Sequence, residues 1–165
     1  GRPRVGEKGR AGLAIAAGRD EPEMEDVRQR AEAAAGAVPG GSRALAALVA
    51  AVEKAEAMGQ PQCIVIVDAN GEVLAEVRMT GAKFLSRKSA LAKALTAAST
   101  GNESLNIPEG VRTAIGLATG GAVTGLPGGL PIRLDGVLLG GIGVGSGSGE
   151  QDIEVARAGL AAVGA

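Results

Sequence analysis

The sequence predicts an α+β domain, and three observations carry that expectation. Leu45, Leu48, Val49, Val52 and Ala55 recur at helical spacing. Two apolar runs are each folded back by a turn sequence, Asp68-Ala69-Asn70-Gly71 in one and Asp135-Gly136 in the other. The resulting order of helix, hairpin, helices, hairpin and helix lacks the strand–helix–strand alternation of a parallel sheet. With 165 residues, 45% of them hydrophobic, the chain is long enough to close one core.

Residues 1–41 read as an N-terminal extension to a domain over 42–165. Asp20 as a cap, Pro22 in the first turn, and Met24, Val27 and Ala31 on one face predict a helix that ends before Pro39-Gly40-Gly41. Its apolar stripe is too thin to be stable alone. Ser42 is expected to cap the first domain helix, with Gly59 and Pro61 as its stop signals. Cys63–Val67 and Glu72–Met79 form the first hairpin. Ser86–Ala98 follows as a helix with Leu91, Ala94, Leu95 and Ala98 on its core face and Lys93 turned away from Leu91 and Leu95. Pro108 opens a short helix through Val111, Ile115 and Leu117 that stops at Gly120-Gly121. Leu130–Leu134 and Val137–Val144 make the second hairpin, and Ile153, Ala156, Leu160 and Val163 mark the inner face of a last helix from about Glu150.

Composition removes several classes of function. The chain has no histidine, so Ser-His-Asp and Cys-His nucleophile pairs, HExxH zinc sites and imidazole acid–base chemistry are unavailable. Seventeen basic against eighteen acidic residues, with Phe84 as the sole aromatic, give neither a phosphate-neutralising patch nor a base-stacking platform, so nucleic acid is not an expected partner. Cys63 is the single cysteine and reads as a small core residue. No apolar stretch approaches the roughly 20 residues that span a bilayer. The chain opens Gly-Arg-Pro-Arg, and Ala11–Ala17 is too short and too weakly apolar for a retained signal sequence, so a cytoplasmic location is expected.

The run Gly143-Val144-Gly145-Ser146-Gly147-Ser148-Gly149 lies between a strand and a helix, where backbone amides and the helix dipole favour an anion. A dinucleotide fingerprint would need glycine at Ser148, and the Gly-Lys-Ser/Thr ending of a P-loop is absent. Glu150 and Asp152 complement the dipole and would repel phosphate. A small-molecule site built by Gly143, Gly145, Ser146 and Gly147 with their neighbours is one reading, and a turn with ordinary acidic capping is the other. Asp68 and Arg78 end the two strands of the first hairpin, where they would clamp a polar ligand unless Asp68 simply caps its own turn. Lys93 is either solvated or a cation pointing into a cleft.

These segments resemble the GlcG/HbpS-like family, also called haem-degrading, which includes the C-terminal domain of PduO-type proteins. Val67–Gly71 with Arg78–Ala82 resembles its VVDxxGxLxxxxRMDGA segment, and Ala90–Ala94 its AxxKA helix. Gly128–Ile132 resembles its GGxPI turn, and Gly136–Asp152 its GxxxGxIGVSGxxxxxD ending. The resemblance covers Ala44 to Ala162. It implies a profilin-like α/β/α sandwich around a five-stranded antiparallel sheet, assembly into homo-oligomers, and binding of haem or a corrinoid as the cofactor. Where members hold haem through histidine, this chain offers no equivalent, and Lys93, Met79 and Met58 are poor replacements. Asp152, Lys93 and Arg78 are the family-matched polar residues expected to face a shared cleft.

The expected function is therefore a small-molecule or tetrapyrrole-binding module without histidine ligation, with its pocket at the glycine-rich loop and shared between subunits. One alternative is an enzyme acting on a small hydroxylated or carboxylated substrate. It would use Asp152 or Glu150 as acid or base and Arg78 or Lys93 as the anion clamp. A purely structural oligomerisation domain is the third reading.

Overall fold

The computed structural model of the protein describes residues 40–165 together with Asp26 and Gln29, which are helical. The predicted extension over 1–41, with Met24, Val27 and Ala31, lies almost wholly outside the described residues. The elements in order are α1 (Gly41–Ala57), β1 (Cys63–Asp68), β2 (Val73–Arg78), α2 (Ser86–Thr100), two 3-10 turns (Ser104–Asn106 and Glu109–Val111), α3 (Arg112–Ala118), β3 (Gly129–Leu134), β4 (Val137–Gly145) and α4 (Gly149–Ala162).

The strands form one antiparallel sheet in the order β2-β1-β4-β3, which makes the fold α+β as expected. Among the described residues the sheet has four strands, where the family resemblance implied five. Both hairpins close at the predicted turns. Asp135 and Gly136 take positive φ values of 50° and 77°, the conformation that matches a two-residue turn to the twist of its strands. Asp68 Oδ1 accepts the Asn70 and Glu72 amides at 2.8 and 3.0 Å, so its carboxylate is spent on its own turn.

The sheet buries both faces. On one, Ile64, Ile66, Ile132, Ile142 and Val144 pack against α1 and α4. On the other, Cys63, Val65 and Val67 pack against Ala90, Ala94 and Ala98 of α2. Small residues set how close the helices come. The buried stripe of α1 is Ala44, Ala47, Ala51 and Ala55, while Leu45 and Val49 are exposed. This corrects Leu45 and Val49 of the expected face, whereas Ala55 is buried and Leu48 and Val52 pack on the core; the alanines let α1 approach α4 until a Cβ on Gly159 would lie 3.0 Å from the Ala47 carbonyl oxygen. Likewise α4 buries Val155, Ala156 and Gly159, with Ile153, Leu160 and Val163 only half-buried.

Two helix starts also differ from expectation. Gly40, not Ser42, is the N-cap of α1 and makes no side-chain bond. Ser148 caps α4 in a reciprocal capping box with Gln151, so Asp152 is free for another role.

Candidate functional site

The alternating glycines of β4 are a seat for α2. A Cβ on Gly143 would fall inside contact distance of the Ala90 carbonyl oxygen and 2.5 Å from the Ala94 nitrogen. One on Gly145 would meet the Ser86 oxygen and Ser89 Oγ, both at 3.0 Å. Gly143 and Gly145 thus bring the α2 backbone down onto the sheet, and both are buried. Their effect is to place the side chains of α2 over the end of β4.

That approach explains Lys93. The residue occupies the side of α2 that faces the β4–α4 junction, and its side chain is 5% exposed. Its ammonium donates to the Val144 carbonyl at 2.7 Å and to Asp152 Oδ2 at 2.9 Å. Asp152, also 5% exposed in its side chain, accepts the Gly147 amide on Oδ1 at 3.0 Å. The expectation of a solvated Lys93 is corrected: Leu91 and Leu95 are only half-buried, and the lysine is the deeper residue. A buried ion pair survives only when both partners keep their remaining hydrogen bonds, and here each has one.

Gly128 holds the other side of the pair. Its φ of 114° favours glycine, and a Cβ there would lie 2.8 Å from Asp152 Cβ and 3.3 Å from Lys93 Nζ. Next along the chain, Ser104 Oγ accepts the Gly129 amide at 2.9 Å and donates to the Leu126 carbonyl, tying this loop to the first 3-10 turn.

Over the pair opens a cavity of about 240 Å³ lined by Lys83, Ser86, Ser89, Lys93, Ser146 and Asp152, among others. Ser146 takes a φ of 94°, a conformation that L-residues rarely adopt. It is held there by the Lys83 amide, which donates to Ser146 Oγ at 3.0 Å, and by Gln60 Nε2, which donates to its carbonyl at 3.2 Å. Beneath Gly147 lies the wholly buried Gln62, whose amide oxygen and nitrogen have no hydrogen-bond partner. An adjoining cavity shares Lys83, Ser86 and Ser89 and is walled by Phe84 and Leu85, which are 74% and 60% exposed. On the opposite rim, Leu126 is shared with an apolar groove against α3 and Leu117.

Of the residues expected from sequence, the fold brings Lys93, Asp152, Ser146 and Gly147 together, with Gly143 and Gly145 behind them. Glu150 is exposed on the first turn of α4 and does not line the cavity. Arg78 is opposite Cys63 in the β1–β2 register, at the far end of the hairpin from Asp68, so the two cannot clamp one ligand. Arg78 instead donates to the Ala82 carbonyl at 3.1 Å. Cys63 is a core residue as expected. Burial pushes its thiol up, against the smaller opposing pull of Arg78 and Arg87. Lys83, Ser86 and Ser89 were missed, although Ser86, Ser89 and Lys93 fall at spacings of three and four on one stripe of α2, with Lys83 in the loop just before it. Among the described residues no group of three or more Cys, Asp and Glu is placed to hold a metal ion, and no helix is long and apolar enough to cross a membrane.

The domain is thus a three-layer α+β fold with a polar cavity over an internal lysine–aspartate pair, flanked by exposed apolar side chains. Comparison with known proteins gives the family. The profile described as haem degrading protein HbpS-like matches residues 41–161, and the chain belongs to that family. It is 34% identical over 119 residues to the corrinoid adenosyltransferase PduO of Salmonella typhimurium, covering 69% of this chain and 35% of that one. The chain therefore spans about a third of the length of that relative. Among solved structures it is similar to PduOC in complex with haem, with a TM-score of 0.69 and 31% identity over 73% of this chain and 91% of that one. A double mutant of Streptomyces reticuli HbpS gives a TM-score of 0.68 and 36% identity over 76% and 86% of the two chains.

Proposed function

We propose that this domain binds a tetrapyrrole, or another small molecule, at the cavity over the Lys93–Asp152 pair, without histidine ligation and as a homo-oligomer. The observation that carries the reading is the adjacency of a polar recess to exposed Phe84 and Leu85, in a family with a member crystallised with haem. A cavity of about 240 Å³ is smaller than the roughly 300–1,000 Å³ that encloses a drug-sized ligand. A macrocycle would rest on the apolar rim with only a peripheral arm inside.

The residues fit the periphery of a haem better than its iron. The chain has no imidazole to offer. Cys63 Sγ is buried 3.6 Å from the Lys83 carbonyl, Met79 Sδ accepts the backbone N–H of Gln62 at 3.4 Å, and neither residue lines the cavity. Acid–base catalysis by Asp152 or Glu150 has less support, because both Asp152 oxygens are engaged and Glu150 lies outside the recess.

Thermal denaturation with haem, cobalamin and short hydroxy acids tests the reading. A ligand at one hundred times its Kd stabilises the native state by about 2.7 kcal/mol, which raises the melting temperature by several degrees. Phe84→Ala should weaken a haem or cobalamin hit about fivefold while leaving the unliganded protein unchanged, since the ring is exposed. No shift with any of these compounds removes the proposal.

A further inference from the structure

Two lysines line the cavity against one carboxylate. Lys93 has three N–H groups and two acceptors, the Val144 carbonyl and Asp152, so one donor on a buried ammonium at the cavity wall is unfilled. Ser146 Oγ accepts the Lys83 amide and keeps its own proton. Ser86 adds a further hydroxyl to the lining and Lys83 a second cationic side chain. The single carboxylate in the lining, Asp152, already has both oxygens bonded. The first-turn amides of α2 are not part of this set, because Ser86, Arg87 and Lys88 donate to the carbonyls of Lys83, Phe84 and Leu85 at 3.0, 3.3 and 3.0 Å.

We infer that this cavity is a carboxylate-binding site, and that the domain's ligand carries a carboxylate arm, as a porphyrin dicarboxylate does and a corrinoid with amidated side chains does not. Two ammonium groups against one engaged carboxylate leave net positive charge in a recess partly shielded from water. There, a carboxylate with four lone-pair sites fills the Lys93, Ser86 and Ser146 donors at once. An amide arm has one acceptor oxygen in place of two and no charge, and its N–H groups would face the lysine and serine donors. The inference rests on the proposed function for the body of the ligand, Phe84 and Leu85 supplying its shelf, but not for the anion, which a small free carboxylate would satisfy equally.

Two measurements separate these layers. Isotope-labelled protein titrated with sodium propionate and, at equal ionic strength, with uncharged propionamide should show saturable shifts of the Ser146 and Gly147 amides with propionate only. Lys83→Gln, an exposed position, should weaken that binding at least about threefold. Equal shifts from both compounds, or none from either, overturn the carboxylate site whether or not a tetrapyrrole binds. In parallel, haem should bind about tenfold more tightly than haem dimethyl ester, with excess propionate competing. Haem and ester binding alike overturns the assignment of the arm to this cavity and leaves the tetrapyrrole reading standing. Saturable propionate binding with no haem or cobalamin binding does the reverse: the tetrapyrrole reading fails and the ligand is a small carboxylate.

Discussion

Lys93 and Asp152 meet at 2.9 Å from residues 59 apart in the chain, joining α2 to α4 across the end of β4. Both side chains are 5% exposed, so losing one partner leaves the other charge largely buried without its counter-ion. Lys93→Met and Asp152→Asn should each destabilise the domain by about 3–5 kcal/mol in denaturant titration. Asn keeps an acceptor for Gly147 but faces the ammonium without charge. The double variant Lys93→Met/Asp152→Asn should lose clearly less than the sum of the two single losses. Additive losses in the double variant would mean that the two residues are not coupled.

The glycine stripe of β4 gives the sharpest steric prediction. Gly143→Ala pushes a Cβ into the backbone of α2 at Ala90 and Ala94, where no side chain can swing aside, and should cost about 3 kcal/mol or more. Gly110→Ala, at a position with open space and no positive φ, is the control and should stay within about 0.5 kcal/mol. A Gly143→Ala protein as stable as its parent would show that α2 rides higher on the sheet.

How much of this was legible beforehand follows the kind of physics involved. Both hairpins were readable because a turn such as Asp135-Gly136 is a local event, decided by φ at two residues. The inner faces of α1 and α4 were legible only in part: Leu48, Val52 and Ala55, and Ala156, Leu160 and Val163, do pack on the core, but hydrophobicity also pointed to Leu45 and Val49 where close approach selected Ala44, Ala47 and Ala51. The same logic governs the site. Gly143 and Gly145 looked like a ligand loop, yet their small size serves α2, and that contact turns Lys93 inward. Lys93, Asp152 and the Ser146-Gly147 corner could be named from the family pattern. Their pairing, and the Lys83-Ser86-Ser89 stripe above them, depend on how far a helix sinks onto a sheet, which periodicity does not encode.

Assembly is a separate expectation. Leu117 is 80% exposed and Leu126 52%, and the groove between them opens at the rim of the cavity. A neighbouring subunit seated there would cover apolar surface and close the site in one contact. Light scattering should give a mass several times that of one chain, and Leu117→Glu should reduce both that mass and ligand affinity. A parent protein that is monomeric at micromolar concentration removes the shared-site idea.

Gln62 is the least satisfied residue of the described structure. Its side chain is fully buried and neither amide atom has a partner, an arrangement that costs about 1–3 kcal/mol relative to a satisfied or apolar group. A Cβ on Gly147 would lie 2.7 Å from Gln62 Nε2 and 2.9 Å from Asp152 Oδ1, so the amide sits directly behind the loop that forms the cavity floor. Gln62→Met keeps the length of the side chain and removes both polar atoms, and it should raise stability by about 1 kcal/mol, read as a shift in denaturant midpoint at constant slope. If Gln62→Met instead lowers stability, the amide pairs with the loop in solution. The Gly147–Asp152 corner should then lose ligand affinity in the same variant.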